Sequence, residues 1–276
     1  MSKKNAGKVI FMGNWEKFNR LVDYMKGLDS VLVAFSGGVD SLLLLDAAIE
    51  ALGRERVLAA TAVSVIRSPE EREEAFRLAV LSGARWVEVE SGEIKNPSFV
   101  ANPPDRCYHC KKDLLSLLGA LASGEGLTNI VEGSNKSDMD DFRPGFRAVR
   151  ESGALSPLLE AGITKGEVRE LLKARGIAGW DRPSEACLCS RVPYGTEITP
   201  EKLNRIYLAE KTVKTLGLVT LRVRDHGETA RLEVPACEIE KICREENREF
   251  ILQELKGLGY KHVTVDLGGY RTGNMN

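Results

Sequence analysis

Two short stretches of this chain carry residues whose types and spacing can do chemistry. The first is Ser36-Gly37-Gly38-Val39-Asp40-Ser41, which directly follows the apolar run Val31 to Phe35 and opens an apolar helical pattern. Glycines let backbone N–H groups approach a phosphate closely, and the two serines donate hydrogen bonds. The helix that follows turns the positive end of its dipole inward. Asp40 is then placed to hold Mg²⁺ near a pyrophosphate. An isolated Ser-Gly-Gly is usually no more than a turn, but the full hexapeptide at the first strand-to-helix turn, where open sheets bind ligands, reads as an anion cradle. The second stretch is "NPPDRCYHCKKDLL", with Cys107 and Cys110 separated by two residues. A C-x-x-C pair can be a redox dithiol, half of a zinc site, or two ligands of an iron–sulfur cluster. A four-cysteine zinc site wants a second close pair, and the nearest is Cys187-Leu188-Cys189, with one intervening residue where two are usual. A thioredoxin-like dithiol normally opens a helix straight after a strand, whereas this pair follows a proline-rich loop. Three cysteines around a 4Fe-4S cluster, with one iron left open, is the third reading, and zinc is weakened without being removed.

Around these stretches, strand-like and helix-like segments alternate from residue 29 to about 180: "SVLVAFS" then "VDSLLLLDAAIEALG", "RVLAATAVS" then "SPEEREEAFRLAVLSG", "ARWVEVES", and "NIVEGS". Short apolar runs alternating with amphipathic helices predict an α/β fold, a doubly wound parallel sheet covered on both faces. Trp15, Phe18, Leu21, Val22 and Met25 are spaced as one face of a packing helix, and "TKGEVRELLKARG" predicts another helix with a Gly C-cap. After Tyr194 and Gly195 the pattern changes to a helix over 199–216, a hairpin from "VTLRVRDHG" and "TARLEVP", a helix from "CEIEKICREENREFILQELKGLG" and a closing strand "HVTVDLG". These divisions give a domain over 1–195 and a smaller α+β domain over 196–276. Arg222 and Arg224 alternate on one strand, so both face the same way, a geometry suited to gripping a substrate phosphate. Cys237 and Cys243 are expected to pack, and His109 and His226 receive no role.

Composition narrows the class. Of 276 residues, 43% are hydrophobic and 29% charged, and runs such as "LLLL" fall far short of the ~20 apolar residues a membrane span needs. The basic start lacks an apolar core and a cleavage site, which predicts a cytoplasmic protein whose six cysteines are ligands, nucleophiles or core residues. A net charge of −1 gives no global footprint for nucleic acid.

The hexapeptide is not the loop of enzymes that transfer a γ-phosphate. It resembles the PP-loop of the ATP pyrophosphatase superfamily (adenine nucleotide alpha hydrolase-like), whose members split ATP between the α- and β-phosphates and activate a carbonyl or carboxylate with the AMP half. "EGSNKSDMDD" is similar to the segment where relatives contact nucleotide and metal, which implies roles for Gly133, Asn135 and Asp138, and "SPLLEAGITKGEVRELL" implies Lys165 as a phosphate partner. "NPPDRCYHCKKDLL", "EGSNKSD", "PSEACLCSRVPYGTEITPEKL", "LRVRDHGETARLEV" and "VDLGGYRTGNMN" together resemble the LarE family of ATP-dependent sulfur transferases over almost the whole chain. That resemblance implies adenylation of pyridinium-3,5-biscarboxylic acid mononucleotide and conversion of its carboxylates to thiocarboxylates, on the way to the nickel-pincer cofactor of lactate racemase. One branch of the family sacrifices the cysteine of P-S-x-A-C-L and the other adds a C-x-x-C that builds a cluster. Cys107, Cys110 and Cys187 match the cluster branch, with ATP, Mg²⁺ and 4Fe-4S as cofactors, Ser190 and Arg191 as substrate contacts, a separate sulfide donor and a homo-oligomer. Competing readings are a tRNA 2-thiolation enzyme, expected to be more basic, an amide-forming PP-loop ligase, which needs no cysteines, and a regulatory module with structural zinc.

Overall fold

The structure is a computed structural model that describes residues 3–140, 144–183 and 186–271, the side chains of 3–12 and Asp140 excepted. Parts of three quoted motifs, at Asp141, at Ser184–Glu185 and at Thr272–Asn276, lie outside the described residues. In chain order the elements are α1 (Lys3–Lys26), β1 (Val31–Ala34), α2 (Val39–Leu52), β2 (Val57–Val63), α3 (Pro69–Ser82), β3 (Arg85–Glu90), α4 (Pro97–Val100), α5 (Arg106–Gly124), β4 (Asn129–Val131), α6 (Gly145–Ser152), α7 (Pro157–Glu160), α8 (Lys165–Ala174), α9 (Pro200–Lys214), β5 (Arg222–His226), β6 (Thr229–Glu233), α10 (Ile239–Cys243), α11 (Glu245–Gly257) and β7 (His262–Val265). They fall into two compact units. One holds Met1–Ser64, Pro69–Glu93 and Cys107–Glu185; the other holds Val65–Ser68, Ile94–Arg106 and Ala186–Asn276. The second unit thus includes residues 65–68, 94–106 and 186–195 of the stretch that the sequence pattern assigned to the first domain.

In the first unit, β1 pairs in parallel with β2 on one side and β4 on the other, and β3 lies outside β2, giving the order β3-β2-β1-β4. Strand geometry sends alternate side chains to opposite faces. Val31 and Val33 accordingly join a core with α1, α2 and α8, while Leu32 joins Leu58, Ala60, Leu118 and Ala122 under α5. Both faces are covered, as the run of alternating segments predicted. The leucine run of α2 is buried at Leu42, Leu43, Leu44 and Leu45 because helices and sheet enclose it on every side. Gly53 ends α2 with φ 76°, and its amide bonds the Ile49 carbonyl.

The second unit has a three-stranded sheet, β5-β6-β7, antiparallel between β5 and β6 and parallel between β6 and β7. Leu221, Val223, Ala230, Leu232 and Val234 pack with Ile251, Leu255 and Tyr260. The segment expected as one helix from Cys237 is instead a 3-10 turn, α10 and α11, because Arg244 at ψ 144° leaves the helical region between them. Cys237 and Cys243 are exposed, which corrects the expectation that they pack: the 3-10 turn that holds Cys237 buries no residue, and the short α10 turns Ile242 inward and leaves Cys243 outside. Among the described residues no helix is long and apolar enough to cross a membrane.

Candidate active site

Sheet order fixes where the phosphate loop sits. The chain leaves β1 for β2 and β3 and then returns to the opposite side of β1 as β4, so the carboxyl ends of β1 and β4 flank the switch point where open sheets bind ligands. The loop Ser36 to Ser41 leaves β1 there. Its form is set by side chains: Ser41 Oγ donates to the Gly38 carbonyl (3.0 Å) and accepts from the Ser36 amide (3.2 Å), and the Gly38 amide donates to Ser36 Oγ (3.2 Å). Gly37 has φ 72°, and a Cβ there would lie 2.9 Å from Ala75 Cα of α3, so only glycine fits. The loop after β4 comes as close: a Cβ on Gly133 would stand 3.1 Å from the Ser41 amide nitrogen.

Asp40, in the first turn of α2, is where the other elements converge. Asn135 Nδ2 donates to Asp40 Oδ1 (3.0 Å) and Lys165 Nζ to Oδ2 (3.2 Å). Asp138 accepts the Asn135 amide (2.9 Å), which folds the β4 loop onto itself. Lys165 is held at the start of α8 by a capping box in which Thr164 and Glu167 satisfy each other's backbone amides. Burial pushes the Asp40 carboxyl up and the neighbouring Asp138 adds to this, while Lys165 and Asn135 pull it down. The structure therefore brings together Ser36, Gly37, Gly38, Val39, Asp40, Ser41, Gly133, Asn135, Asp138 and Lys165 in one unit.

Glu132, which the sequence did not single out, closes β4 and is almost fully buried. It accepts hydrogen bonds from Lys111 (2.7 Å), from the Ser134 amide and hydroxyl (3.1 and 2.9 Å) and from Ser156 (2.5 Å). These partners outweigh desolvation and hold its pKa below the ordinary glutamate value. Lys111 lies one residue past Cys110, so Glu132 ties the cysteine-bearing helix α5 to the β4 loop. Cys107 and Cys110, neither of them in a disulfide, lie at the start of α5, one exposed and one half-buried, on one helical face. Between them Tyr108 donates to Glu151 (2.7 Å) under the Arg147 guanidinium, 3.5 Å from its ring centre. His109 packs edge-on against the Tyr108 ring.

The second unit carries Cys187. It precedes a 3-10 turn, Leu188–Arg191, pinned by Arg191. Arg191 forms a two-pronged pair with Glu210 of α9 (2.8 and 3.0 Å) and donates through Nη1 to the carbonyls of Ala186 (2.6 Å) and Cys187 (3.0 Å) and to Ser190 Oγ (2.9 Å). Arg191 is therefore a clamp on the cysteine turn. From the segment before α5, Asn102 (φ 54°, fully buried) donates to the carbonyls of Val192 (3.3 Å), Pro193 (2.8 Å) and Thr196 (3.1 Å) and accepts from Arg106 (2.6 Å). A hydrogen bond from the buried Cys189 thiol, with the cations Arg106, Arg191 and Arg67, pulls the half-buried Cys187 thiol down to about 6 against the desolvation that raises it. Cys189, whose place in the motif the sequence left unexplained, thus serves as a donor to Cys187.

Arg222 and Arg224 share one face of β5 and are both buried. Arg224 donates to the Ser190 carbonyl (2.7 Å) and to Glu233 (2.7 Å); Arg222 donates to the Leu221 carbonyl (2.8 Å) and lies over the Tyr270 ring. Arg224 thereby joins the strand to the cysteine turn. His226 ends β5, its pKa lowered first by desolvation and then by Arg231. Among the described residues no group of three or more His, Cys, Asp or Glu side chains is gathered as a metal site. A cavity of about 650 Å³ in the first unit, lined by Tyr24, Met139, Phe146, Arg150 and Leu159 among others, includes none of the loop residues.

No family model matches the chain. Full-length relatives do. It is 40% identical over 260 residues to an uncharacterized protein of Synechocystis, covering 94% of this chain and 97% of the relative. It is 38% identical over 256 residues, 93% of this chain and 92% of the relative, to pyridinium-3,5-bisthiocarboxylic acid mononucleotide synthase of Lactiplantibacillus plantarum. A shorter match, 38% identical over 160 residues and covering 55% of this chain and 58% of the relative, is to the NH3-dependent NAD+ synthetase of Pyrobaculum aerophilum, a PP-loop enzyme. With the Ser36–Ser41 loop at the switch point and 38% identity over 93% of the chain to a synthase of this kind, the chain belongs to the LarE family, that of the pyridinium-3,5-bisthiocarboxylic acid mononucleotide synthases.

Proposed function

We propose that this chain is an ATP-dependent, AMP-forming sulfur transferase acting on pyridinium-3,5-biscarboxylic acid mononucleotide. The observation that carries the reading is the convergence on Asp40 of Asn135 and Lys165 at the mouth of the Ser36–Ser41 loop. Backbone amides and serine hydroxyls of the loop bind the pyrophosphate portion of ATP, and Lys165 neutralises phosphate charge. Asp40 and Asp138 are the carboxylates that would hold Mg²⁺, which would neutralise charge on the pyrophosphate. A substrate carboxylate oxygen attacks the α-phosphorus, the bond to the β-phosphate oxygen breaks, and pyrophosphate leaves. A sulfur nucleophile then adds to the acyl carbon, and the carbon–oxygen bond to AMP breaks to give the thiocarboxylate. Arg222 and Arg224 hold the substrate's phosphate, and Ser190 and Arg191 orient the acyl group beside Cys187.

For the sulfur, Cys107, Cys110 and Cys187, none of them in a disulfide, are the thiolates that a three-cysteine 4Fe-4S cluster would take as ligands. Such a cluster, when bound, supplies an iron without a protein ligand that can carry sulfide from a separate donor. A second reading is favoured by the low pKa of Cys187, about 6: its own sulfur is transferred, leaving dehydroalanine. We place the protein in the cytoplasm as a homo-oligomer.

The test is anaerobic incubation with ATP, Mg²⁺ and the dicarboxylate. Pyrophosphate and AMP are the expected products, and Asp40→Asn should suppress both; ADP and phosphate would overturn the assignment. Iron bound to the wild type and lost in Cys187→Ser supports the cluster. Stoichiometric loss of H2S from the Cys187 peptide in iron-free protein selects the sacrificial route.

A further inference from the structure

One arginine touches the phosphate loop without having been marked by any motif. Arg182 lies between α8 and the cysteine turn, and its Nη1 donates to the Gly37 carbonyl (3.0 Å). Everything around it fixes that placement. Arg169 of α8 donates to the backbone carbonyls of Arg182 and of Trp180, the latter at 2.8 Å, which holds the segment in position. Glu74 of α3 stands 3.7 Å from the same Nη1. Gly179, at φ 92°, leaves room for the side chain: a Cβ there would lie 3.5 Å from Arg182 Cδ and 3.3 Å from Leu78.

The bond matters because of what lies at the other end of the same peptide. Among the described residues no peptide bond is cis, so the Gly37 carbonyl and the Gly38 amide point in opposite directions from one planar unit. Gly37, at φ 72°, has no Cβ to bias that unit, and a peptide between two glycines turns over more freely than any other. With its carbonyl held by Arg182, the Gly38 N–H is aimed toward the Ser36 hydroxyl at the opening of α2.

We propose that Arg182 is a positioning residue of the phosphate loop: by holding the Gly37 carbonyl it keeps the Gly38 amide turned toward the pyrophosphate portion of ATP. This rests on reading the loop as a pyrophosphate cradle. Arg182 acts through the peptide and not through its charge, so any side chain that donates to the Gly37 carbonyl can do its work.

The experiment measures binding of magnesium pyrophosphate and of AMP to the full chain by calorimetry, for wild type, Arg182→Ala, Arg182→Gln and Arg182→Lys, with thermal melts alongside. Arg182→Ala is expected to weaken pyrophosphate about tenfold, the size of one lost hydrogen bond to a charged group, while AMP stays within about twofold. Arg182→Gln, which keeps an N–H donor without the charge, should recover most of the loss, as should Arg182→Lys. Recovery by lysine with none by glutamine would show a direct charge contact and overturn the proposal. Equal weakening of AMP and pyrophosphate, with a lowered melt, would overturn it as a general loosening of the fold. Pyrophosphate bound equally by wild type and Arg182→Ala would sink the proposal alone, whereas wild-type protein that takes up no pyrophosphate would sink the adenylation reading beneath it.

Discussion

Removing one partner of the Arg191–Glu210 pair tests whether the cysteine turn is held by charge or by packing. Arg191 is 3% and Glu210 5% exposed, so neither charge is relieved by water when its partner goes. Glu210 also accepts the Val223 amide (3.0 Å), and Arg191 holds two carbonyls and a hydroxyl of the turn besides. Breaking a buried pair from one side costs about 3–5 kcal/mol, because an uncompensated charge is left in a low-dielectric site. Replacing both partners by apolar side chains of similar volume is often near neutral. Glu210→Leu should therefore lower the unfolding free energy by about 3–5 kcal/mol and the melting temperature by roughly 6–20 °C. Arg191→Met with Glu210→Leu should regain most of that loss, yet still release the turn, since without Arg191 the carbonyls of Ala186 and Cys187 lose their donor. Denaturant unfolding of the two single variants and the double variant gives the coupling energy, and the alkylation rate of Cys187 reports the turn. A double variant no more stable than Glu210→Leu would refute the charge argument. A double variant that alkylates Cys187 as the wild type does would refute the clamp.

Three further outcomes follow from the geometry. Asp40 is raised by burial and by Asp138 and lowered by Lys165, so Lys165→Met should move the acidic limb of pyrophosphate release to higher pH, and Asp138→Asn should move it down; movement in the same direction for both would contradict the balance of causes. Cys187 should alkylate half-maximally near pH 6, its thiolate forming as pH rises through that value, and Cys189→Ala should push the midpoint up, as read by pH-dependent iodoacetamide labelling. Arg224→Ala should raise the dissociation constant of the dicarboxylate nucleotide by about tenfold or more while leaving ATP nearly unchanged, measured by equilibrium binding; equal effects on both would point to the lost Glu233 and Ser190 bonds instead.

The parallel sheet was legible because its strands are buried on both faces and read as unbroken apolar runs. Residues 36–41 declared themselves through two glycines and two serines at the end of such a run. What the sequence hid is of another kind. Glu132, Asn102 and Arg182 are ordinary polar residues in their local context and become informative only through partners dozens of residues away. Arg222 and Arg224 were read correctly as sharing a face, but no periodicity shows that Glu233 and the Ser190 carbonyl already occupy one of them. The break at Arg244 was missed because the flanking sequence is rich in good helix formers, while Arg244 itself is extended, at ψ 144°. Exposure of Cys243 likewise depends on which way the five-residue α10 faces.

The two units are not strung end to end. The chain passes from one to the other after Ser64, Ser68, Glu93, Arg106 and Glu185. Its early segments are sewn into the later unit by backbone bonds: Leu188 to Ile66, Gly195 to Asn102 and Ile198 to Val100. On the ribosome, residues 65–68 and 94–106 therefore emerge long before the residues that complete their hydrogen bonds, and must wait without those partners until residues 188–198 follow. The same threading bears on heredity. A gene fragment that starts near residue 195 lacks residues 65–68 and 94–106 of the second unit, so recombination there cannot exchange the unit that bears Cys187 as a cassette. The loop of residues 36–41 and the turn that carries Cys187 are bound to be inherited together.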